Sequence, residues 1–341
     1  MPLSIKCSFV TMLTELRNFV EARWYGNIGV LGILLPLSWA FALLAKLRRL
    51  AYRSGMFKRP ELPVPVIVVG NISVGGTGKT PVVAWLAEEL AAAGFRPGIV
   101  SRGYGGAPTA APALIHGQSA DEVGDEPLLL ARLSRSPVCV CRDRVAAVNA
   151  LAEQGVDVII SDDGLQHYRM HRQVELIVVD GDRGFGNGRL LPAGPLREPV
   201  SRMVEADAVL VNGGVGRQAG IKFRLEESNP VELCSNEPRP WVEFTGVRVW
   251  CVAGIGNPAR FRTILEARGL SVDMAEVPDH GTADLNKLSE LRRQPIFMTE
   301  KDAVKYPQPA ANIWAVPVTV SFQPADAEKI IDTVVRGIGP G

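Results

Sequence analysis

The chain has 341 residues, five cysteines and a net charge of +1, and its length predicts two domains. Residues 1–60 carry nine Lys or Arg against two Glu, a net +7, so the remainder carries −6, which argues against a nucleic-acid-coating protein. The cysteines form no Cys-x-x-Cys pair, which indicates a reducing compartment and excludes a zinc or disulfide framework.

The first predicted element is an apolar helix over Ile28–Ala45, eighteen residues without a charge. As a helix it would be about 27 Å long, marginal for crossing a hydrocarbon core of about 30 Å. Pro36 lies in its middle, and a basic run with Arg48, Arg49 and Arg53 follows it. Clustered cations beside an apolar helix favour anionic headgroups, so we predict a helix inserted into, or lying on, a membrane. A buried core helix is the alternative; a cleaved signal peptide does not fit the late start of the apolar stretch.

A phosphate-binding loop follows the apolar run Val64–Val69, within which Val66–Val69 is predicted as a strand. Glycines let backbone N–H groups approach an anion, a lysine reaches the β- and γ-phosphates, and a threonine hydroxyl binds Mg²⁺. The usual pattern has glycine at the position of Ser73, and an ordinary Gly-rich turn is the alternative. The predicted loop residues are Ser73, Val74, Gly75, Gly76, Thr77, Gly78, Lys79 and Thr80.

Beyond the loop, short β-branched runs alternate with amphipathic stretches, which predicts an α/β fold with a P-loop NTPase-like parallel sheet core. A Pro-rich run, Glu237–Trp241, resembles a linker to a second, smaller α/β unit, in which Ile313–Val320 is the last strand. We therefore predict three regions: 1–55, an N-terminal membrane-associated helical segment; 56–236, the P-loop core; and 237–341, a C-terminal α/β domain closing the cleft.

Two adjacent carboxylates, Asp162 and Asp163, end the predicted strand Val156–Ser161. At the carboxyl end of a parallel strand beside a phosphate loop such acids bind Mg²⁺ directly or through water, and a polar Asp-Gly turn is the alternative. His167 and His171 have a helical metal-ligand spacing, but no third soft ligand is near, so local hydrogen bonding is the preferred interpretation.

Asp125 precedes a Leu-rich helix and is either its N-cap or a carboxylate that takes a proton from an attacking hydroxyl. His280 lies on a loop of the second domain, where it is either a surface residue or a group that pairs with a carboxylate across the cleft and tunes a base.

Three further segments carry candidate contacts. In the Pro- and Gly-rich loop 191–199, Arg197 can clamp a transferred phosphate and Glu198 can support a metal, against the alternative of a surface turn. Arg144 either faces anions or is solvated at a helix start. The segment Thr299–Asp302 fits a Thr-x-x-Asp helix cap, with Lys301 as a cleft contact.

Together these segments resemble the tetraacyldisaccharide 4′-kinase family, the lipid A 4′-kinases of Gram-negative bacteria. The similar motifs run in the family's order over most of residues 24–322, and Ser73 is itself part of the family pattern. They are Gly70–Pro81, Ser101–Gly105, Val123–Pro127, Asp162–His167, Leu196–Pro199 and Thr299–Asp302.

The resemblance implies transfer of the ATP γ-phosphate to the 4′-hydroxyl of an acylated glucosamine disaccharide 1-phosphate. It implies Asp125 as the base, assisted by His280. It also implies an acylated lipid substrate, contact with inner-membrane lipids, no nucleic acid, and a location at the cytoplasmic face of the bacterial inner membrane. The implied ligands of ATP and Mg²⁺ are Lys79, Thr80, Arg144, Asp162, Asp163, Gln166, Arg197 and Glu198.

Three other classes of protein remain as alternatives, and each fits the sequence less well. Membrane-attached ATPases of the MinD/ParA type carry Lys before the Gly-Gly of the loop, where this chain has Val74. A dethiobiotin-synthetase-like enzyme does not need the apolar segment Ile28–Ala45. A binding module with an inactive phosphate loop is the least favoured alternative, because such a loop would not need Lys79, Thr80 and the acidic strand ends together.

Overall fold

The computed structural model describes residues 16, 19–107, 111–214, 218–254, 258–275, 294–306 and 311–339. The prediction for His280 lies outside these residues.

A nine-stranded sheet forms the larger body. Its strands are β1 Val66–Gly70, β2 Pro97–Ser101, β3 Ala113–Leu114, β4 Val138–Val140, β5 Val158–Asp162, β6 Val174–Asp180, β7 Ala208–Asn212, β8 Ile221–Glu227 and β14 Val318–Phe322. The order is β14-β8-β7-β6-β1-β5-β2-β4-β3, and the pairs are parallel except β14–β8 and β3–β4 at the two edges. The predicted parallel sheet core is confirmed.

Helices cover both faces of this sheet. The described α-helices are α1 Leu35–Arg53, α2 Lys79–Ala92, α3 Ala120–Val123, α4 Asp125–Ser134, α5 Arg144–Glu153, α6 Pro258–Ala267, α7 Glu300–Ala303 and α8 Pro324–Ile338. On β1, Ile67 and Val69 pack in the core that holds α2, α4 and α8, whereas Val66 and Val68 pack with α5 on the opposite face. Because both faces are covered, β1 is a continuous apolar run rather than an alternating one.

A second, five-stranded sheet forms the smaller body. Its strands are β9 Val231–Glu232, β10 Arg248–Val252, β11 Ser271–Ala275, β12 Ile296–Thr299 and β13 Ile313–Val316, in the order β11-β10-β12-β13-β9. Phe244, Phe297 and Trp314 meet in its core, with ring centroids 4.9–6.4 Å apart. This agrees with the predicted second α/β unit.

The end of the chain differs from the prediction. Residues 313–320, predicted as one strand, form β13 and β14, which are separated by Pro317 and belong to different sheets. Proline has no N–H for a strand ladder, so the run breaks there. β14 pairs with β8, and α8 buries Ile330 and Val334 in the larger core, so this end of the 237–341 region lies in the larger body.

The apolar segment near the N-terminus forms a 3₁₀ helix, Gly29–Leu34, followed directly by α1. Pro36 lies in the first turn of α1, where its missing N–H breaks no helical hydrogen bond. By length and composition alone the segment Gly29–Arg53 passes the test for crossing a membrane, which by itself is weak evidence. Most of its large apolar side chains are exposed, among them Ile33, Trp39 and Leu44.

Candidate active site

The phosphate loop joins β1 to α2. Gly75 and Gly78 have φ of +102° and +92°, in the left-handed region that glycine enters without a steric penalty. Ser73 instead forms an antiparallel bridge with Leu196, and the next N–H, of Val74, donates to the Pro195 carbonyl at 2.8 Å. Serine fits there because its backbone is paired with another segment and needs no glycine conformation.

Two asparagines hold the phosphate loop by hydrogen bonds from their side-chain amides. Neither residue is among the candidates predicted from the sequence. The Asn71 amide donates to the Gly75 carbonyl at 3.4 Å, and the Asn212 amide donates to the Thr77 carbonyl at 3.2 Å. Both side chains are buried. Their positions could have indicated them, because Asn71 directly follows β1 and Asn212 ends β7. Both therefore lie at the carboxyl edge of the sheet, where ligands bind.

Lys79 and Arg197 converge on Asp163. The Lys79 Nζ lies 3.6 Å from Asp163 Oδ1, and the two terminal nitrogens of Arg197 donate to the two carboxylate oxygens at 2.9 and 3.3 Å. Burial alone would raise the pKa of Asp163, but the charges of Lys79 and Arg197 hold it well below the usual range. Asp163 is therefore ionised and fixed beside the phosphate loop.

Asp162, the last residue of β5, has a different environment. Burial raises its pKa to about 7, the charge of Glu126 adds to the rise, and Lys79 and Arg144 oppose it. Its Oδ1 is buried without a hydrogen-bond partner among the described residues. Such an oxygen fits a metal ligand, because buried carboxylate oxygens otherwise need a donor.

Arg144 begins α5 and is almost fully buried. Its Nη1 donates to Ser161 Oγ at 2.7 Å. Burial lowers its pKa, while the nearby Asp163 and Asp162 oppose that change. The side chain thus places a positive charge close to the acidic pair, and the predicted contact with phosphate stays a prediction.

Loop 191–199 is fixed against the phosphate loop, not a free surface turn. The backbone N–H of Arg197 donates to the Ile72 carbonyl at 2.7 Å. Gln166 Nε2 donates to Glu198 Oε1 at 3.2 Å, and Arg202 lies 3.4 Å from the other carboxylate oxygen of Glu198. The structure therefore brings Gln166, Arg197 and Glu198 together, with Glu198 in contact with Gln166 and Arg202, while their predicted roles toward the metal and the phosphate stay predictions.

Asp125 lies at the junction of the two bodies. Asp125 is the first residue of α4, and the N-cap of this helix is Gly124. The alternative in which Asp125 is the N-cap is therefore wrong by one residue. The buried carboxylate accepts from the Glu126 N–H at 3.0 Å through Oδ1, and its Oδ2 lies 3.8 Å from Lys305 Nζ and 4.0 Å from Lys301 Nζ. Both lysines come from the second body, and Lys305 was not singled out from the sequence.

Two local predictions have an outcome in the structure. His167 and His171 lie in the segment between β5 and β6 and not on a helix, so they do not share a helical face. The Nε2 of His167 is buried without a hydrogen-bond partner among the described residues, so the local hydrogen bonding expected for this histidine is not found at that nitrogen. Thr299 caps α7 by accepting from the Asp302 N–H at 3.2 Å, and Lys301 donates to Glu126 at 2.7 Å across the cleft.

Comparison with known proteins agrees with this geometry. A family model for tetraacyldisaccharide-1-P 4′-kinase, LpxK, matches residues 30–336. The tetraacyldisaccharide 4′-kinase of Methylobacillus flagellatus is 45% identical over 323 residues, covering 94% of this chain and 96% of that protein. The chain belongs to the tetraacyldisaccharide 4′-kinase family.

Other tetraacyldisaccharide 4′-kinases extend the comparison. The protein from Alkalilimnicola ehrlichii is 48% identical, covering 89% of this chain and 92% of its own length. LpxK from Aquifex aeolicus, solved in complex with ATP, is 30% identical with a TM-score of 0.76, and the match covers 91% of this chain and all of that one. Membership confirms the predicted family, fold and enzyme class, an ATP-dependent kinase, and the MinD/ParA alternative is not favoured.

Proposed function

We propose that this kinase transfers the γ-phosphate of ATP to the 4′-hydroxyl of a tetraacyldisaccharide 1-phosphate lipid. The observation that carries the proposal is the convergence of Lys79, Arg197 and the acidic pair on one phosphate loop, with the buried Asp125 at the junction of the two bodies. Family membership supplies the acceptor class, since the relatives are named for this lipid.

Each group has a role that follows from its charge. Backbone N–H groups of the loop and the Lys79 ammonium hold the phosphates, and Arg197 neutralises charge that develops during transfer. Asp125 accepts the proton of the attacking hydroxyl, because an ionised carboxylate can serve as a general base, and the family resemblance assigns that role to this residue. A supporting role of His280 in this step comes from the family resemblance.

The residues around Asp162 fit Mg²⁺. The ion would be held by Thr80, the second residue of α2, and by Asp162, whose buried Oδ1 has no hydrogen-bond partner among the described residues. Asp163 and Glu198 would add negative charge around the ion. Held there, Mg²⁺ would supply positive charge that offsets the negative charge of the ATP phosphates. Thr80 and an acidic strand end are the oxygen donors that this ion prefers.

The N-terminal segment would place the enzyme at the cytoplasmic face of the inner membrane. One side of α1 is tied to the body, because Ser38 Oγ donates to the Leu190 carbonyl at 2.7 Å and Arg49 pairs with Glu205. The opposite side exposes large apolar side chains, including Trp39 and Leu44. A helix held along its length against a folded body enters one leaflet rather than crossing the bilayer.

The test is a lipid phosphorylation assay with ATP, Mg²⁺ and the disaccharide monophosphate lipid. We expect a bisphosphorylated lipid, identified by mass spectrometry. ATP hydrolysis without a lipid product would refute the proposal and return the chain to the ATPase class.

A further inference from the structure

Three buried charged side chains meet where α7 of the smaller body approaches α4 of the larger one. The Lys305 Nζ lies 2.8 Å from Asp302 Oδ1 and 3.8 Å from Asp125 Oδ2. Each of the three side chains is at most 4% exposed. Buried charges in this arrangement interact strongly, because little water screens them.

The ammonium of Lys305 is fixed from the side of the smaller body. Asp302 is held by the Thr299 hydroxyl, which donates to Oδ2 at 2.7 Å, and by the Gly254 N–H at 3.1 Å. The Lys305 backbone N–H also donates to the Asp302 carbonyl at 3.1 Å. The lysine therefore projects toward α4 from a rigid support.

Lys301 is not equivalent to Lys305, although both approach Asp125. Lys301 is 22% exposed and pairs with Glu126 at 2.7 Å, while its distance to Asp125 is 4.0 Å. Its charge is shared with Glu126 and screened by water. Lys305 is buried, and its ammonium lies within 4 Å of both Asp302 and Asp125.

We propose that Lys305 is a positioning residue that keeps the Asp125 carboxylate ionised and oriented for proton transfer. The inference rests on the proposed role of Asp125 as the base. A carboxylate accepts a proton only when it is ionised, and a neighbouring ammonium stabilises that form. Because Lys305 belongs to the smaller body and Asp125 to the larger one, the base is fully competent only when the two bodies are docked.

The experiment measures kcat, KM for ATP and the pH dependence of kcat for the full-length enzyme acting on the disaccharide monophosphate lipid in detergent micelles. In Lys305→Met we expect kcat to fall about 100-fold at pH 7 with KM for ATP changed by less than about threefold. The acidic side of the kcat–pH profile (the acid limb) should move up by about one pH unit. The reason is that the pKa of Asp125 rises when the neighbouring positive charge is removed. Lys305→Arg should restore both, and Lys329→Met, an exposed lysine on α8, is the matched control with wild-type kinetics.

Asp302→Asn gives a readout of the opposite sign. It removes the carboxylate that shares the ammonium, so the acid limb should move down. If Lys305→Met does not fold, as judged by circular dichroism and ATP binding, Lys305→Gln, which keeps a polar side chain of similar length without the charge, replaces it and should move the acid limb up in the same way. An acid limb that is unmoved in both variants, or moved upward in Asp302→Asn, would overturn the inference.

Asp125→Asn separates this inference from the proposed function. If Asp125→Asn keeps wild-type turnover, the base assignment itself fails. If it loses turnover while Lys305→Met keeps the wild-type pH profile, only the role of Lys305 is refuted.

Discussion

At the scale of single residues, the two adjacent aspartates show how position decides chemistry. Asp163 is held ionised by Lys79 and Arg197, whereas burial raises the pKa of Asp162 to about 7. The residues are neighbours in sequence, but only Asp163 adopts a positive φ, +50°, which turns it toward the cations. One residue type thus supplies an anchored anion and a buried oxygen suited to a metal.

Asp125→Asn should separate catalysis from nucleotide binding. Asparagine keeps the shape of the side chain but cannot accept the proton, so kcat should fall by about 10²–10⁴-fold. The dissociation constant for ATP should stay near wild type, because asparagine keeps the size and shape of the side chain, and Asp125 lies on α4 beside Lys301 and Lys305 of the smaller body.

Steady-state kinetics and isothermal titration with ATP measure the two quantities. Asp332→Asn, at a highly exposed position on α8, is the control and should behave as wild type. Equal losses of turnover and ATP affinity in Asp125→Asn would show that this residue supports binding or folding instead.

His167 predicts a pH dependence of stability. Burial, followed by the charge of Arg144, lowers the pKa of His167 to about 4, and its Nε2 is buried without a hydrogen-bond partner among the described residues. The unfolded chain takes up a proton near the ordinary value of about 6.5 while the folded chain does not, so the free energy of unfolding should fall as pH drops from about 6.5 to 4.

Urea unfolding of wild type and His167→Gln at pH 7.5 and 5 measures the effect. Water reaches part of the ring, so the wild type should lose about 1–2 kcal/mol more than the variant over this interval. Parallel stability curves for the two proteins would contradict the assignment.

At the scale of elements, the 3₁₀ helix Val200–Glu205 joins three parts of the molecule. Arg202 is 3% exposed and pairs with Glu175 of β6, with Glu198 beside the phosphate loop and with Glu205. Glu205 in turn pairs with Arg49 and Arg53 of α1. A single buried guanidinium therefore links the apolar helix, the sheet and the candidate active site.

Arg202→Met should destabilise the larger body by about 3–5 kcal/mol, because it leaves Glu175 and Glu198 with reduced charge compensation in a buried site. Denaturant unfolding followed by circular dichroism gives the free energy. The matched control is Arg262→Met on α6, which breaks an exposed pair with Glu266 and should cost much less. Equal costs in the two variants would show that the Arg202 cluster is not a stabilising link.

At the scale of the whole molecule, α1 has one exposed apolar side and one side bound to the larger body. α1 presents exposed Leu37, Trp39, Leu43, Leu44 and Leu47, while its other side is tied to the body. The ends of the sheet strands that carry the phosphate loop are joined to the same region through loop 191–199. The segment 190–199 therefore connects α1 directly to the phosphate loop.

The double change Leu43→Glu/Leu44→Glu should weaken binding to vesicles of anionic phospholipid at least about tenfold, because each apolar side chain contributes about 1.5–3 kcal/mol when buried. Folding should be unaffected, since both side chains are exposed. Cosedimentation with vesicles measures binding, and Val242→Glu, at an exposed position of the smaller body, is the control. Unchanged cosedimentation of the double variant would refute α1 as the membrane contact.

The sequence alone determined the features that depend on neighbouring residues. The strand, glycine turn and helix around Lys79, the acidic end of β5 and the apolar start of α1 are contiguous, so their local chemistry is readable without the fold. The alternation of strands and helices likewise determined the parallel core.

The tertiary structure decided the contacts between distant segments. It paired Ser73 with Leu196, sent β14 back to the larger sheet after Pro317, and placed Lys305 against Asp125. No local pattern encodes these pairings, because each depends on how two segments far apart in sequence pack against a shared core. The sequence thus identified the candidate groups that lie in contiguous motifs, whereas groups such as Lys305, and the question of which side chains meet, depended on packing.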